Sequence, residues 1–135
     1  EIIRDRPDVQ RGWLEAELDA QLFLKDLGNA TAVSKMADAQ TEGMDRRVLW
    51  ASLYGKNPAA IGGGKEKLTL RFVFDDTAKQ LVAAATKFLH GRKVVPNAVL
   101  RSEAIMDGVA NEVLKARGLT APIGFVGEQP DSAYK

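Results

Sequence analysis

A mainly α-helical fold, about five helices plus one extended segment, is what this sequence predicts, and three observations carry it. Apolar residues recur at three- and four-residue spacing in five separate stretches. Glycine and proline fall between those stretches, where helices must stop. Only residues 68–74 show the strict alternation of an extended segment with one buried face.

The first helix opens at Pro7, whose fixed φ suits a first helical position, with Asp8 facing the positive end of the helix dipole. Val9, Trp13, Ala16, Ala20 and Phe23 form one apolar face, widened by Leu14, Leu18 and Leu22. Gly28 supplies a left-handed stop. Asn29 is a good N-cap for a second helix carrying Val33, Met36 and Ala37, and Gly43 breaks it. Asp45 can cap a third, with Val48, Leu49 and Leu53 inward and Gly55 at its end. Residues 56–67, with Pro58 and three consecutive glycines, must form a loop.

Beyond the alternating segment, Asp75 or Asp76 caps a fourth helix in which Ala78, Leu81, Val82, Ala85, Phe88 and Leu89 face inward and which Gly91 closes. Val94, Val95 and Pro96 lead into another extended connection. Ser102 caps a fifth helix, its apolar face formed by Ile105, Met106, Val109, Ala110, Val113 and Leu114 and its end by Gly118. Residues 1–118 therefore read as a helical segment and 119–135 as an irregular C-terminal tail.

Composition narrows the function. A length of 135 residues is enough for one domain with a genuine core. Nineteen basic against eighteen acidic residues leave a net charge of +1, without the surplus a nucleic-acid binder uses to neutralise phosphates. The absence of cysteine removes disulfides, thiolate metal sites and cysteine nucleophiles. No apolar run approaches the roughly 20 residues needed to span a bilayer. Residue 1 is Glu, followed by no signal-peptide core, so the chain is expected to begin at a processed end or inside a longer sequence.

Few residues offer chemistry. His90 is the only histidine, which excludes a histidine pair for a metal; at a helix C-terminus it complements the dipole. Gly62, Gly63, Gly64 and Lys65 invite comparison with a phosphate-binding loop. Glu66 stands where Ser or Thr is needed, however, and no glycine occupies the upstream position, so a connector is the better reading. Glu15, Glu17 and Asp19 alternate on a helix and point in different directions, as a solvated face does. Residues 29–53 have the weak form of a helix-turn-helix, but the turn is too long. No nucleophile, base and orienter can be placed together; no catalytic residue, metal or cofactor is expected. Trp50 and Tyr54, four residues apart, share one side of the third helix. They read as core packing or as an aromatic lip on a ligand cleft, with Arg46 or Arg47 available to an anionic ligand.

The opening stretch RPDVQRGWLEAELDAQLFLKDLGNA resembles the long helix after the second lobe crossing in periplasmic solute-binding proteins of the nitrate/sulfonate/taurine ABC transporter family, through Arg6, Pro7, Asp8, Val9, Trp13, Leu14, Ala16 and Ala20. DDTAKQLVAAATKFLHGRKVV is similar to that family's penultimate helix and LRSEAIMDGVANEVLKARGL to its final one. The resemblance implies the C-terminal part of a two-lobed α/β binding fold, located in the periplasm or otherwise outside the cytoplasmic membrane. Its partners would be a small anionic or zwitterionic solute, an ABC permease, and either the upstream part of the same protein or a second copy. The alternative from another class is a free-standing α-helical interaction or assembly module without catalytic activity.

Overall fold

A computed structural model describes residues 5–55 and 69–134. It is mainly helical, as expected. Among the described residues there are five α-helices, α1 (Pro7–Lys25), α2 (Ala30–Gln40), α3 (Arg46–Leu53), α4 (Asp76–Gly91) and α5 (Gly108–Ala116), with short 3-10 turns at Leu27–Asn29, Ser102–Ala104 and Asp131–Ala133. Two short strands, β1 (Thr69–Leu70) and β2 (Gly124–Phe125), pair antiparallel with Thr69 opposite Phe125 and Leu70 opposite Gly124. The glycine-rich loop and its Lys65, together with Leu68, lie outside the described residues.

The chain forms two compact units. One gathers the described residues up to Glu15 with Arg71–Ile123; the other gathers Ala16–Leu70 and the residues from Gly124 onward. In the first unit, the apolar centre is supplied by Ala110, Val113 and Leu114 of α5 with Ile123. Arg11 reaches Glu112 at 2.5 Å and Lys79 reaches Asp107 at 3.5 Å around its rim. Both pairs are solvent-facing and contribute little to stability. In the second unit, Leu18, Ala30, Leu49, Trp50, Tyr54, Leu70 and Val126 are buried together with Ser34.

Several helix faces differ from the sequence expectation. On α1 the buried residue is Leu18, flanked one turn away on each side by the half-buried Leu14 and Leu22, while Val9, Trp13 and Phe23 are exposed, Trp13 at 76%. The apolar stripe is two rows wide, and packing selects the leucine row. Gly28 is not left-handed: the Asp26 carboxylate accepts its N–H, starting the 3-10 turn. Asn29 caps nothing with its side chain, because its amide donates instead to the Phe23 carbonyl. Met36 is exposed, and α2 buries Ala30 and Ser34. Gly43 does adopt the left-handed conformation, with φ of 75°.

On α3, Asp45 caps as expected by accepting the Arg47 N–H, but the inward pair is Leu49 and Trp50, and Val48 is exposed. The alternating segment is cut short at Phe72, whose φ of 62° together with the Val73 N–H to Arg71 carbonyl bond makes a three-residue turn. That turn ends the alternation, so Phe74 is exposed. Asp75, ion-paired with Arg71, then caps α4 through the Ala78 N–H. No side chain of α4 is buried, and Leu81 and Phe88 are exposed at 64% and 66%. Ser102 opens only a 3-10 turn; the backbone is extended at the β-branched Ile105, so α5 starts at Gly108, leaving Met106 outside it and exposed. Gly118, at φ 66°, follows α5. The segment read as an irregular tail provides β2, the buried Ile123 and Val126, and the last 3-10 turn.

Candidate functional site

The aromatic residues singled out in the sequence sit at the centre of the second unit. Asp45 starts α3 and the four-residue spacing places Trp50 and Tyr54 on one side of it, with ring centroids 5.4 Å apart and planes tilted by 44°. Gly55 ends the helix by giving its N–H to the Trp50 and Ala51 carbonyls. A Cβ on Gly55 would lie 2.5 Å from the Ala51 Cα, so this close return of the chain requires glycine. Both rings are core residues, exposed by only 2% and 1%. The Tyr54 hydroxyl donates to the Leu24 carbonyl, and burial raises its pKa above the ordinary 10.0 by disfavouring the phenolate.

A cleft of about 450 Å³ opens beside this core, lined by Arg47, Trp50, Asp131, Ser132 and Tyr134. The last turn holds it in place. The Gln129 N–H donates to the Tyr54 carbonyl at 2.8 Å, and Tyr134 lays its ring 5.4 Å from that of Trp50 at a 55° tilt. The Thr31 hydroxyl donates to the Ala133 carbonyl at 3.5 Å, at the long limit of a hydrogen bond.

Of the three candidate ligand residues, only Trp50 reaches the cleft wall. Tyr54 packs beneath it, and Arg46 is held by Asp38 at 2.7 Å, away from the lining. The adjacent Arg47, named in the sequence reading only as the alternative to Arg46, lines the cleft instead. Asp131, Ser132 and Tyr134 were missed because the tail has no periodicity from which to place them. One signal was available: Pro130 followed by Asp131 and Ser132 is turn chemistry, and a turn can bring Tyr134 back onto a helix.

His90 is exposed, its Nδ1 3.3 Å from the Val95 carbonyl oxygen. Among the described residues no three His, Asp or Glu side chains converge as a metal site would require, and no helix is long and apolar enough to cross a membrane. Comparison of the chain with protein-family models, with curated proteins and with solved structures finds no match.

Proposed function

We propose that this chain is the C-terminal portion of the substrate-binding component of an ABC importer of the nitrate/sulfonate/taurine type. It would work outside the cytoplasmic membrane on a small anionic or zwitterionic solute. The observation that supports this reading is α4. A helix of 16 residues in water is held by packing its apolar face more than by propensity. Yet α4 buries no side chain and presents Leu81, Phe88 and Leu89 to solvent. Trp13 on α1 is uncovered in the same way. Apolar surface of this kind marks an interaction face. In a two-lobed α/β binding fold, the cover is the sheet and helices of a lobe encoded upstream.

In that role the chain makes and breaks no bond. Solute shifts the equilibrium between open and closed lobes through contacts present only in the closed state. These helices serve as scaffold for one lobe, and their outer faces are available to the permease.

The test is the intact mass and N-terminal sequence of the protein in its source cells, before and after export. A precursor much longer than 135 residues with a secretion signal is the expected result. A mature product of this length alone, sedimenting as a homo-oligomer of fixed stoichiometry, would replace the reading with a helical assembly module.

A further inference from the structure

We propose that the loop following α4, residues 92–101, docks on the surface of an anionic phospholipid bilayer. The proposal uses residues beyond the end of α4 and leaves the Leu81 and Phe88 face aside, so it stands independently of the transport reading.

Charge is spread unevenly along this chain. Residues 77–102 contain five lysines and arginines and no aspartate or glutamate, leaving fourteen basic against eighteen acidic residues elsewhere. A near-neutral total therefore conceals one cationic stretch. Of its five cations, only Lys79 has an acidic partner among the described residues, Asp107. Arg92, Lys93 and Arg101 belong to the loop itself, and all three are exposed.

Apolar side chains stand among these cations. Val94 and Val99 are exposed at 66% and 77%, and Pro96 is exposed as well. The head of the loop is tied to the helix end. The Lys93 N–H donates to the His90 carbonyl and the Val94 N–H to the Leu89 carbonyl, both at 2.9 Å. Lys93 is left-handed at φ 59°, a conformation that glycine or asparagine adopts at lower cost. A lysine there sets a cation at the head of the loop. His90, Lys93, Val94, Val95 and Pro96 together line an open hollow of about 420 Å³.

This mixture selects the partner. A nucleic acid would neutralise the cations but leave the valines in water. An uncharged apolar surface would strand the cations. A bilayer with anionic headgroups offers phosphates to Arg92, Lys93 and Arg101 and the edge of its acyl chains to Val94 and Val99.

The test is cosedimentation of the chain with vesicles of phosphatidylcholine alone and of equal parts phosphatidylcholine and phosphatidylglycerol. The expected result is binding to the anionic vesicles only. Each basic residue near such a surface is worth roughly fivefold in partitioning, so Arg92→Gln with Lys93→Asn should weaken binding about 25-fold. Val94→Asn with Val99→Asn keeps the charge and should weaken it at least about fivefold. All four side chains are exposed, so unchanged far-UV circular dichroism separates lost binding from lost fold. Leu81→Gln with Phe88→Gln should bind as the native chain does, which separates the loop from the apolar face of α4. Inorganic phosphate, compared with chloride at matched ionic strength, should not release the chain, because it offers the headgroup charge without the hydrocarbon. No binding to the anionic vesicles, equal binding to phosphatidylcholine, full binding by either loop variant, specific release by phosphate, or loss of binding in the α4 variant would overturn the proposal.

Discussion

The Tyr54 hydroxyl donates to the Leu24 carbonyl at 3.0 Å, tying the end of α3 to the last turn of α1. Carbonyls in the final turn of a helix have no intrahelical donor, so this bond satisfies a group that would otherwise depend on water. Removing the hydroxyl leaves that carbonyl without its buried donor. Tyr54→Phe is expected to lower unfolding stability by about 1–2 kcal/mol, read from the midpoint of a urea titration.

The same hydroxyl makes stability depend on alkaline pH. Burial raises the folded pKa of Tyr54 above its ordinary 10.0. The contribution of the neutral phenol is therefore complete below 10.0 and is lost as pH rises through the folded value. Melting midpoints should fall more steeply with pH above 10.0 in the native chain than in Tyr54→Phe. Parallel slopes would remove Tyr54 as the cause.

Leu18 and Trp13 lie on the same helix and should behave oppositely. Leu18 is wholly buried, so Leu18→Ala is expected to cost about 2–5 kcal/mol through lost burial and the cavity left behind. Trp13 touches mostly solvent, and Trp13→Ser should change the stability of the chain by less than about 0.5 kcal/mol. Guanidinium denaturation of the two variants distinguishes them. A large loss for Trp13→Ser would mean that its ring is already covered in solution.

These two residues also show what could be read in advance. Local signals were legible: Pro7 at the first helical position, Asp45 as a cap, Asp75 as one of two cap choices, and Gly43 and Gly118 as helix stops. Such features depend on a few neighbouring atoms. Which apolar row is buried depends on what stands opposite, and α1 offers two rows whose spacing cannot choose between them. The turn at Phe72 was hidden for a related reason, since positive φ is rare outside glycine and alternation alone continues through it. In the cleft, Trp50 was found by its spacing to Tyr54. Asp131 and Tyr134 are some 80 residues away in sequence and meet Trp50 only through the folded tail.

Asp75 gives a prediction at the acid end. The N–H of Ala78, followed by the neighbouring Arg71 guanidinium, holds its carboxyl below the ordinary 3.8. A depressed folded pKa means that the ionised cap stabilises α4 above 3.8, and that this support fades as pH falls through the lower folded value. Helical circular dichroism followed from neutral to acid pH should show a loss that Asp75→Asn makes shallower, because asparagine still accepts the Ala78 N–H without titrating. An identical acid limb in both proteins would assign the transition to other carboxylates.

The exposed stripe of α4 gives the prediction that bears most directly on how the chain works. Leu81 and Phe88 are seven residues apart, two turns along one helix face, and both stand in solvent. Water disfavours such a face, so the isolated chain should bind a hydrophobic dye and associate as its concentration rises. Replacing both residues by glutamine keeps good helix formers on α4 while removing the apolar area. The double variant should therefore retain the native circular dichroism and lose most of the dye signal and the concentration-dependent sedimentation. If the face is a seat for an upstream lobe, the same variant, made in the longer protein, should lower its melting midpoint, although it leaves the isolated chain unharmed. A face that tolerates glutamine in both settings covers nothing, and α4 would then be a surface helix with no role in assembly.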